Sequence, residues 1–210
     1  MPERYDATAR AAGRALRARL GIGDDGFALG FVGFMRDWHR LDLAVELLAR
    51  PHLAALHLVL VGEGPALSGV LDSARALGVD GRVHALGVVA PDALPGHVCG
   101  FDAALIPAIN RYASPLKLFD SLAAGVATLA PRQPNLEETI VDGVDGVLFE
   151  PGRADALDRA VAPLVADREL AGRIGAAGRQ SLERHGWTWR GNARRVVAAF
   201  EALRRGEAPA

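Results

Sequence analysis

Short apolar runs alternate with amphipathic stretches along most of the chain, and this alternation predicts its secondary structure. Six apolar runs are expected to form strands, at residues 28–33, 56–62, 82–86, 102–107, 126–130 and 146–149. The stretches between them are expected to form helices, at 40–50, 65–78, 91–98, 115–124 and 135–141. Strands that lack polar alternation and are separated by helices indicate a parallel sheet covered on both faces. The predicted fold class is therefore α/β, a Rossmann-like doubly wound parallel sheet with C-terminal helices.

The same pattern predicts how the chain is divided. Residues 1–27 are expected to form a linker-like N-terminal helix, 28–186 the Rossmann-like domain, 187–205 a C-terminal helix and 206–210 a disordered tail. Ligands of doubly wound sheets bind beyond the carboxyl ends of the strands. A functional site is therefore expected in the loops that follow the strands.

Composition and charge exclude several classes of function. The 24 basic and 25 acidic residues give a net charge of −1, which provides no electrostatic footprint for nucleic acid. Cys99 is the only cysteine, so no internal disulfide can form, and we expect a cytoplasmic protein. No apolar run is typical of a signal peptide or a membrane span, although the basic amphipathic pattern near the C-terminus leaves contact with a membrane surface open. No Asp, Glu or His cluster with metal-ligand spacing is present.

The segment YASPLKLFDSLAAG, residues 112–125, is the most informative part of the chain. Ser114 is expected to cap a helix in which Pro115 takes the first position, and Gly125 is expected to end it. A helix that begins directly after a strand presents free amide groups to the ligand region, where they form an anion site.

Two charged residues lie on one face of this helix. Lys117, in its first turn, is unfavourable at a helix N-terminus unless an anion binds there. Asp120, one turn later, can accept hydrogen bonds from the two hydroxyls of a ribose. The alternative is an ordinary surface ion pair between the two side chains, which would contribute little.

This segment resembles the donor-binding motif of the family-4, or group 1, glycosyltransferases, enzymes of the GT-B fold whose variant motif reads roughly SPLKLFEYLAAG. Other stretches resemble the family in the same order along nearly the whole chain, namely 31–42, 58–65, 82–88 and 135–152. The resemblance implies the C-terminal, donor-binding half of a retaining enzyme. Such an enzyme moves a hexosyl group from a nucleotide-diphosphate sugar to a hydroxyl acceptor, and the resemblance implies that it needs neither a metal nor another cofactor.

The resemblance also implies roles for individual residues. The amides around Pro115, with Lys117, would hold the diphosphate, Asp120 would take the ribose, and the backbone at Val88 would read the base. His39 occupies the position of a phosphate-binding lysine, and its charge would then change near pH 6.5. Lys117 and His39 are the implied catalytic residues. The implied donor-binding set is Gly33, Arg36, His39, Val88, Ser114, Pro115, Leu116, Lys117, Asp120 and Glu138.

Two positions depart from the family pattern. Phe34 stands where many relatives have an arginine, and Tyr112 stands where many have a glutamate. The compensating cation could be Arg36, Arg40 or Arg111, among which the sequence does not choose. The change at Tyr112 affects the expected recognition of the sugar more than that of the nucleotide.

A GT-B enzyme needs a second domain, which carries the acceptor. Residues 2–20 resemble the interdomain linker, so the expected partner is an N-terminal acceptor domain that is missing or separately encoded, and the chain alone is expected to bind donor without transferring sugar. Two alternatives stay open: part of a sugar-nucleotide epimerase, and a non-catalytic nucleotide-sugar-binding module. A dinucleotide-binding Rossmann domain is disfavoured because no G-x-G-x-x-G opens a helix after the first strand.

Overall fold

The computed structural model describes residues 2–110 and 112–206. Arg111, one of the three arginines considered above, and residues 207–210 of the expected tail lie outside the described residues.

Six parallel strands form one sheet. They are β1 (Phe27–Val32), β2 (Leu56–Val61), β3 (Val83–Ala85), β4 (Ala103–Leu105), β5 (Ala127–Pro131) and β6 (Val147–Phe149), in the order β3-β2-β1-β4-β5-β6. All neighbouring pairs are parallel, and the register places the last residue of β1 opposite the last residue of β2. The predicted α/β fold with a doubly wound parallel sheet is confirmed.

The helices connect and follow these strands. They are α1 (Ala7–Arg19), α2 (Leu41–Leu48), α3 (Leu67–Ala76), α4 (Leu94–Val98), α5 (Leu116–Ala124), α6 (Pro134–Glu137), α7 (Ala154–Ala166), α8 (Arg168–His185) and α9 (Trp189–Arg204). Single 3₁₀ turns lie at Pro2–Arg4, Asp37–His39, Pro51–Leu53 and Asp80–Arg82. The helix predicted over 135–141 is shorter than expected: α6 covers Pro134–Glu137, and beyond it the Val141 amide donates to the Asp145 carboxylate at 2.7 Å instead of continuing the helix.

Successive strand residues face two different hydrophobic cores. Phe27, Leu29 and Phe31 of β1 belong to the core on one face of the sheet, and Ala28 belongs to the core on the other. Both cores are covered by helices, which is why the strands show no polar alternation. A Cβ at Gly30 would lie 2.1 Å from the Phe101 ring, so the absence of a side chain there lets that aromatic ring cover the strand.

The N-terminal helix packs closely onto this domain. Leu16 of α1 is buried, and a Cβ at Gly13 would lie 2.6 Å from the backbone of Cys99 at the end of α4. Phe27, which the sequence placed in the linker, is the first residue of β1. Within the described part of the chain, no helix is both long enough and apolar enough to cross a bilayer.

A group of charged residues, Arg17, Asp102 and Arg168, lies at the amino end of the sheet and is called the Asp102 cluster below. Asp102 precedes β4 and accepts hydrogen bonds from Arg17 at 2.6 Å and Arg168 at 2.5 Å. It also accepts one from the Ala28 amide at 2.7 Å. The cluster therefore ties α1, β1, β4 and α8 together at the edge of the sheet opposite the carboxyl ends of the strands.

Candidate functional site

The strand order identifies where a ligand crevice forms. In the order β3-β2-β1-β4-β5-β6, the connections leave β1 and β4 in opposite directions, so the loops after these two neighbouring strands separate. Such a topological switch point is the usual ligand site of an open α/β sheet. Gly33 directly follows β1, and α5 begins after the loop that follows β4. The structure thus brings the glycine and the helix singled out from the sequence to the same crevice.

Two glycines let backbone segments approach each other at this crevice. Gly33 has a φ of 143°, and its amide donates to the Val61 carbonyl at 2.9 Å. Gly62 has a φ of 120°, and a Cβ there would lie 2.2 Å from the Gly33 carbonyl oxygen. A Cβ at Gly33 would itself lie 3.1 Å from Lys117 Nζ. The loops after β1 and β2 therefore pack directly on each other, and the backbone of Gly33 faces the lysine.

The N-terminus of α5 differs from the prediction by one residue. Pro115, not Ser114, is the N-cap, with φ −75° and ψ 115°, and no side chain caps the helix. The expectation that Ser114 caps the helix is wrong, because the extended ψ of Pro115 delays the first helical residue to Leu116. The amides of Leu116 and Lys117 have no intrahelical acceptor, whereas the Leu118 amide donates to the Pro115 carbonyl at 3.0 Å. The helix N-terminus therefore offers free donors in the crevice.

Lys117 is a partly buried cation. Its Nζ lies 4.1 Å from the centroid of the Phe31 ring, and burial lowers its pKa to about 8. Among residues 2–110 and 112–206, no carboxylate lies within ion-pair distance of this ammonium. Lys117 is also the only lysine among the 24 basic residues of the chain. Within the described residues, the face of the Phe31 ring partly compensates for its positive charge.

Asp120 is held by a residue that the sequence did not single out. The Tyr5 hydroxyl donates to Asp120 Oδ1 at 2.6 Å, and no ion pair joins Asp120 to Lys117 in the described chain. Asp120 and Lys117 line the same narrow cavity of about 20 Å³, so they do share a face. Tyr5 lies in the segment interpreted as a linker. The only feature that marks Tyr5 in the sequence is that it is a single aromatic residue among polar neighbours.

His39 is buried between aromatic rings, with 6% of its surface exposed. Its ring centroid lies 3.8 Å from that of Trp38 and 5.1 Å from that of Phe31. Nδ1 accepts a hydrogen bond from the Arg36 amide at 3.1 Å, so the neutral ring carries its proton on Nε2. Burial and, second, the charge of Lys117 lower the pKa of His39 to about 4. These surroundings contradict the expected titration near pH 6.5, and the imidazole is neutral at pH 7.

The two described arginines near β1 have different partners. The Arg36 guanidinium lies 4.7 Å from the Phe34 ring, at the surface. Arg40 binds both oxygens of the Asp42 carboxylate, with the shortest distance 2.9 Å. Arg40 also has a φ of 54°, the only left-handed non-glycine residue in the described ranges. Arg40 therefore forms an ion pair with Asp42, whereas Arg36 has no carboxylate partner among the described ion pairs.

The remaining predicted residues lie around the crevice. Val88 follows Gly87 and has 69% of its surface exposed. Glu138 is exposed at the end of α6. Within residues 2–110 and 112–206, no hydrogen bond or ion pair connects Val88 or Glu138 to Lys117 or Asp120. The structure thus brings together Gly33, His39, Lys117 and Asp120, together with the exposed start of α5 at Ser114 and Leu116.

Asn135 is a further residue that shapes the crevice. Its Nδ2 donates to the Ala113 carbonyl at 2.6 Å, which ties α6 to the loop before α5. The side-chain oxygens of Asn135 and Gln133 are buried and accept no hydrogen bond in the described structure. The sequence showed this stretch only as a family-like segment, because a contact to a backbone carbonyl leaves no pattern.

Known proteins resemble this chain in sequence and fold. A GDP-mannose-dependent alpha-(1-6)-phosphatidylinositol monomannoside mannosyltransferase of Mycobacterium tuberculosis is 33% identical over 138 residues, which cover 63% of this chain and 36% of that protein. Anabaena Alr3699/HepE, solved in complex with UDP, superposes with a TM-score of 0.76 at 19% identity, covering 87% of this chain and 50% of that one.

An isolated domain has the same fold. The C-terminal domain of the glycosyl transferase group 1 family protein LpcC from Francisella tularensis superposes with a TM-score of 0.68 at 19% identity, covering 75% of this chain and 85% of that one. The chain spans between 36% and 47% of the length of the curated relatives it matches. The family model for glycosyl transferases group 1 matches residues 14–181. The chain belongs to the glycosyl transferases group 1 family.

Proposed function

We propose that this chain is the donor-binding half of a retaining glycosyltransferase that moves a sugar from a nucleoside-diphosphate sugar to a hydroxyl acceptor. The observation that carries the proposal is Lys117, an ammonium with a lowered pKa and no carboxylate partner in the described chain, in the first turn of α5 at the switch point of the sheet. A cation at a helix N-terminus is stabilised by a bound anion. A diphosphate in the crevice supplies that anion.

The same groups serve both binding and the chemical step. The free amides of Leu116 and Lys117, with the Lys117 ammonium, bind the diphosphate oxygens. When the bond between sugar and diphosphate breaks, negative charge grows on the departing nucleoside diphosphate, and fixed positive groups stabilise it without reorganising. The proposal includes no metal or other cofactor, because the helix terminus and Lys117 supply the positive charge.

The other residues of the crevice complete the donor site. Asp120 accepts hydrogen bonds from the ribose hydroxyls, and Gly33 lets the donor approach the backbone. His39 is neutral, and its Nε2–H donates a hydrogen bond to an oxygen of the nucleotide sugar. Around this centre, the proposal assigns the base to the exposed backbone at Val88. It assigns the rim of the site to the exposed Arg36, Ser114 and Glu138, and the turn into α5 to the buried N-cap Pro115.

The comparisons support a nucleotide-sugar donor. The mycobacterial relative is named as GDP-mannose-dependent, and the Anabaena structure has also been solved with UDP-glucose. These names differ in both base and sugar, so the experiment must test several nucleotides. Since the chain spans less than half of its curated relatives, we assign the acceptor to a second domain, on the same polypeptide or separately encoded. We place the reaction in the cytoplasm.

Calorimetric titration of the 210-residue chain tests the binding part of the proposal. UDP, GDP, ADP and the matching monophosphates are compared, together with inorganic pyrophosphate. We expect one nucleoside diphosphate to bind more tightly than its monophosphate, because the second phosphate reaches Lys117 and the α5 terminus. Failure of every nucleoside diphosphate to bind would contradict the donor site.

A transfer assay tests the remaining parts. The chain is incubated with radiolabelled nucleotide sugars and an acceptor panel, with and without the partner domain. We expect transfer only with that domain, because the acceptor hydroxyl must be held beside the anomeric carbon, and we expect an unchanged anomeric configuration in the product. Robust transfer by the chain alone would refute the proposal that it is only the donor-binding half of the enzyme. Conversion of a nucleotide sugar to its epimer without acceptor would favour an epimerase.

A further inference from the structure

Tyr5 makes a long-range contact to the donor site. It precedes α1, and only 2% of its surface is exposed. Its ring lies in the same core as Val98 of α4 and Leu118 of α5, and its hydroxyl donates to Asp120 Oδ1 at 2.6 Å across 115 positions of sequence. Hydrogen bonds from a hydroxyl to a carboxylate at this distance are short and strong.

The contact leaves half of the carboxylate available. Among residues 2–110 and 112–206, the Tyr5 hydroxyl is the only hydrogen-bond donor to Asp120, and Oδ2 has no partner. Asp120 also lines the narrow cavity that it shares with Lys117 and Ser121. Tyr5 therefore fixes one oxygen of a carboxylate whose other oxygen has no partner in the described part of the chain.

The direction of the hydrogen bond is set by the ionisation of Tyr5. Burial and, second, the hydrogen bond to Asp120 raise the pKa of the Tyr5 hydroxyl above its ordinary value. The phenol stays protonated and donates to the carboxylate at any pH at which nucleotide binding is measured.

We infer that Tyr5 is a positioning residue whose hydroxyl holds the Asp120 carboxylate in the orientation that accepts the ribose hydroxyls of the donor. The inference rests on the proposed function. A carboxylate that is already oriented loses less conformational entropy when the ribose binds. The N-terminal segment thereby belongs to the donor site, and ribose recognition depends on a residue outside the sheet.

The test compares ribonucleotides with analogues that lack the two hydroxyls. UDP and 2′,3′-dideoxy-UDP, and the corresponding guanosine pair, are titrated into the wild-type chain and into Tyr5→Phe. We expect Tyr5→Phe to weaken ribonucleotide binding roughly three- to tenfold, the effect of one hydrogen bond. We expect the affinity of the dideoxy analogue to stay the same, so that the ratio of the two affinities falls.

Asp6→Ala is the matched control. The Asp6 carboxylate accepts from the Ala9 amide at 2.9 Å and caps α1, one residue away from Tyr5, without contacting Asp120. This variant loosens the same segment. A merely structural role for Tyr5 predicts that both variants lower the melting temperature and leave the ribose-to-dideoxy ratio alone. Positioning predicts a changed ratio in Tyr5→Phe only.

A double-mutant cycle with Asp120→Ala completes the test. If Tyr5 acts through Asp120, Tyr5→Phe has no effect on the ratio once the carboxylate is gone. If the wild-type chain distinguishes the two ligands and Tyr5→Phe leaves the ratio of their affinities unchanged, the inference is overturned and the proposed function stands. A wild-type chain that binds none of the four nucleotides would overturn both.

Discussion

Two groups of charged side chains lie at opposite ends of the same sheet, and they are built differently. In the Asp102 cluster at the amino end, one carboxylate accepts from two arginines and a backbone amide, all within 2.7 Å. At the carboxyl end, within the described residues, Lys117 lies on the Phe31 ring without a carboxylate partner, and Asp120 accepts a hydrogen bond only from the Tyr5 hydroxyl.

Under the proposed function, this difference separates a structural role from a ligand-binding one. A partly buried charge destabilises a fold unless it is paired and hydrogen-bonded, and the Asp102 cluster meets both conditions. Lys117 does not, so its charge weakens the unliganded fold, and the proposed function assigns that charge to donor binding. The basic residues differ accordingly. Arginine forks bind Asp102 at several points, whereas the single lysine is a compact charge whose pKa responds to burial.

The largest effect is expected from breaking the Asp102 cluster. Asp102→Ala leaves Arg17 and Arg168 without their carboxylate, and only 16% of the Asp102 side chain is exposed. We expect the free energy of unfolding to fall by about 3 kcal/mol, as for a partly buried charge that loses its partner. Urea unfolding measures this change, and the affinity of the folded variant for nucleoside diphosphates is expected to stay within about twofold.

Asp72→Ala is the control for this prediction. Asp72 pairs with Arg75 on the exposed surface of α3, so its loss is expected to change stability by less than about 1 kcal/mol. Equal losses from Asp72→Ala and Asp102→Ala would show that the cluster is not a special structural element.

The second prediction concerns Lys117, at the carboxyl end of the sheet, where removing a charge is expected to stabilise the fold rather than destabilise it. Lys117→Met is expected to weaken nucleoside diphosphate binding by about 1.5–3 kcal/mol, the contribution of a charged hydrogen bond. The pKa of Lys117 is lowered to about 8 in the fold from 10.5, so the charged form is penalised at neutral pH. Removing the charge is expected to raise the free energy of unfolding by about 1 kcal/mol, since the partly exposed ammonium is screened.

Calorimetry and urea unfolding on the same samples measure both effects. Arg75→Met removes an exposed cation on α3 and is expected to change neither quantity appreciably. A Lys117→Met chain that binds as tightly as the wild type would show that the unpaired charge is not a donor contact.

The third prediction concerns pH. Affinity for a nucleotide sugar is expected to be flat from about pH 6 to 7.5, because His39, with a pKa of about 4, is already neutral there. Above a pH of about 8, Lys117 loses its proton in the free chain, and affinity is expected to fall about tenfold by pH 9. Nucleotide sugars are suitable probes because their diphosphate has no terminal phosphate to titrate.

The stability of the unliganded chain is expected to change in the opposite direction. Between about pH 8 and 10.5 the unfolded chain binds more protons at Lys117 than the folded chain, so the contribution of this site to the free energy of unfolding rises with pH.

His39→Gln is the control for the pH dependence of affinity, and its affinity profile should match that of the wild type. An affinity that drops between about pH 6 and 7.5 in the wild type but not in His39→Gln would mean that His39 binds as a cation.

The smallest effect is expected at Arg40. The left-handed backbone of Arg40 costs about 1 kcal/mol relative to glycine at this position. The exposed contact to Asp42 offsets part of that cost. A glycine at this position would also have more conformational freedom in the unfolded chain, which offsets a further part. Arg40→Gly is therefore expected to change the free energy of unfolding by less than about 1 kcal/mol and to leave donor affinity alone. A tenfold or larger loss of affinity would instead identify Arg40 as the cation that compensates for Phe34.

The sequence by itself determined the fold class and the position of the candidate site. Burial of both sheet faces leaves a local signature, namely apolar runs without polar alternation, so all six strands are visible in the sequence. Gly125, with a φ of 72°, ends α5 as its sequence signal predicted, because a left-handed C-cap strongly favours glycine. Lys117 and Asp120 share a face because three residues span nearly one helical turn.

Only the tertiary structure decided the electrostatics of the site. The Tyr5 contact to Asp120 spans 115 positions, and no short pattern records a pairing between such distant residues. The His39 environment also depends on packing: burial and, second, the charge of Lys117, 78 positions away, lower its pKa, whereas the isolated residue would titrate near neutrality. Sequence fixes which groups ionise and which local elements carry them, but desolvation and charge–charge distances depend on how those elements pack.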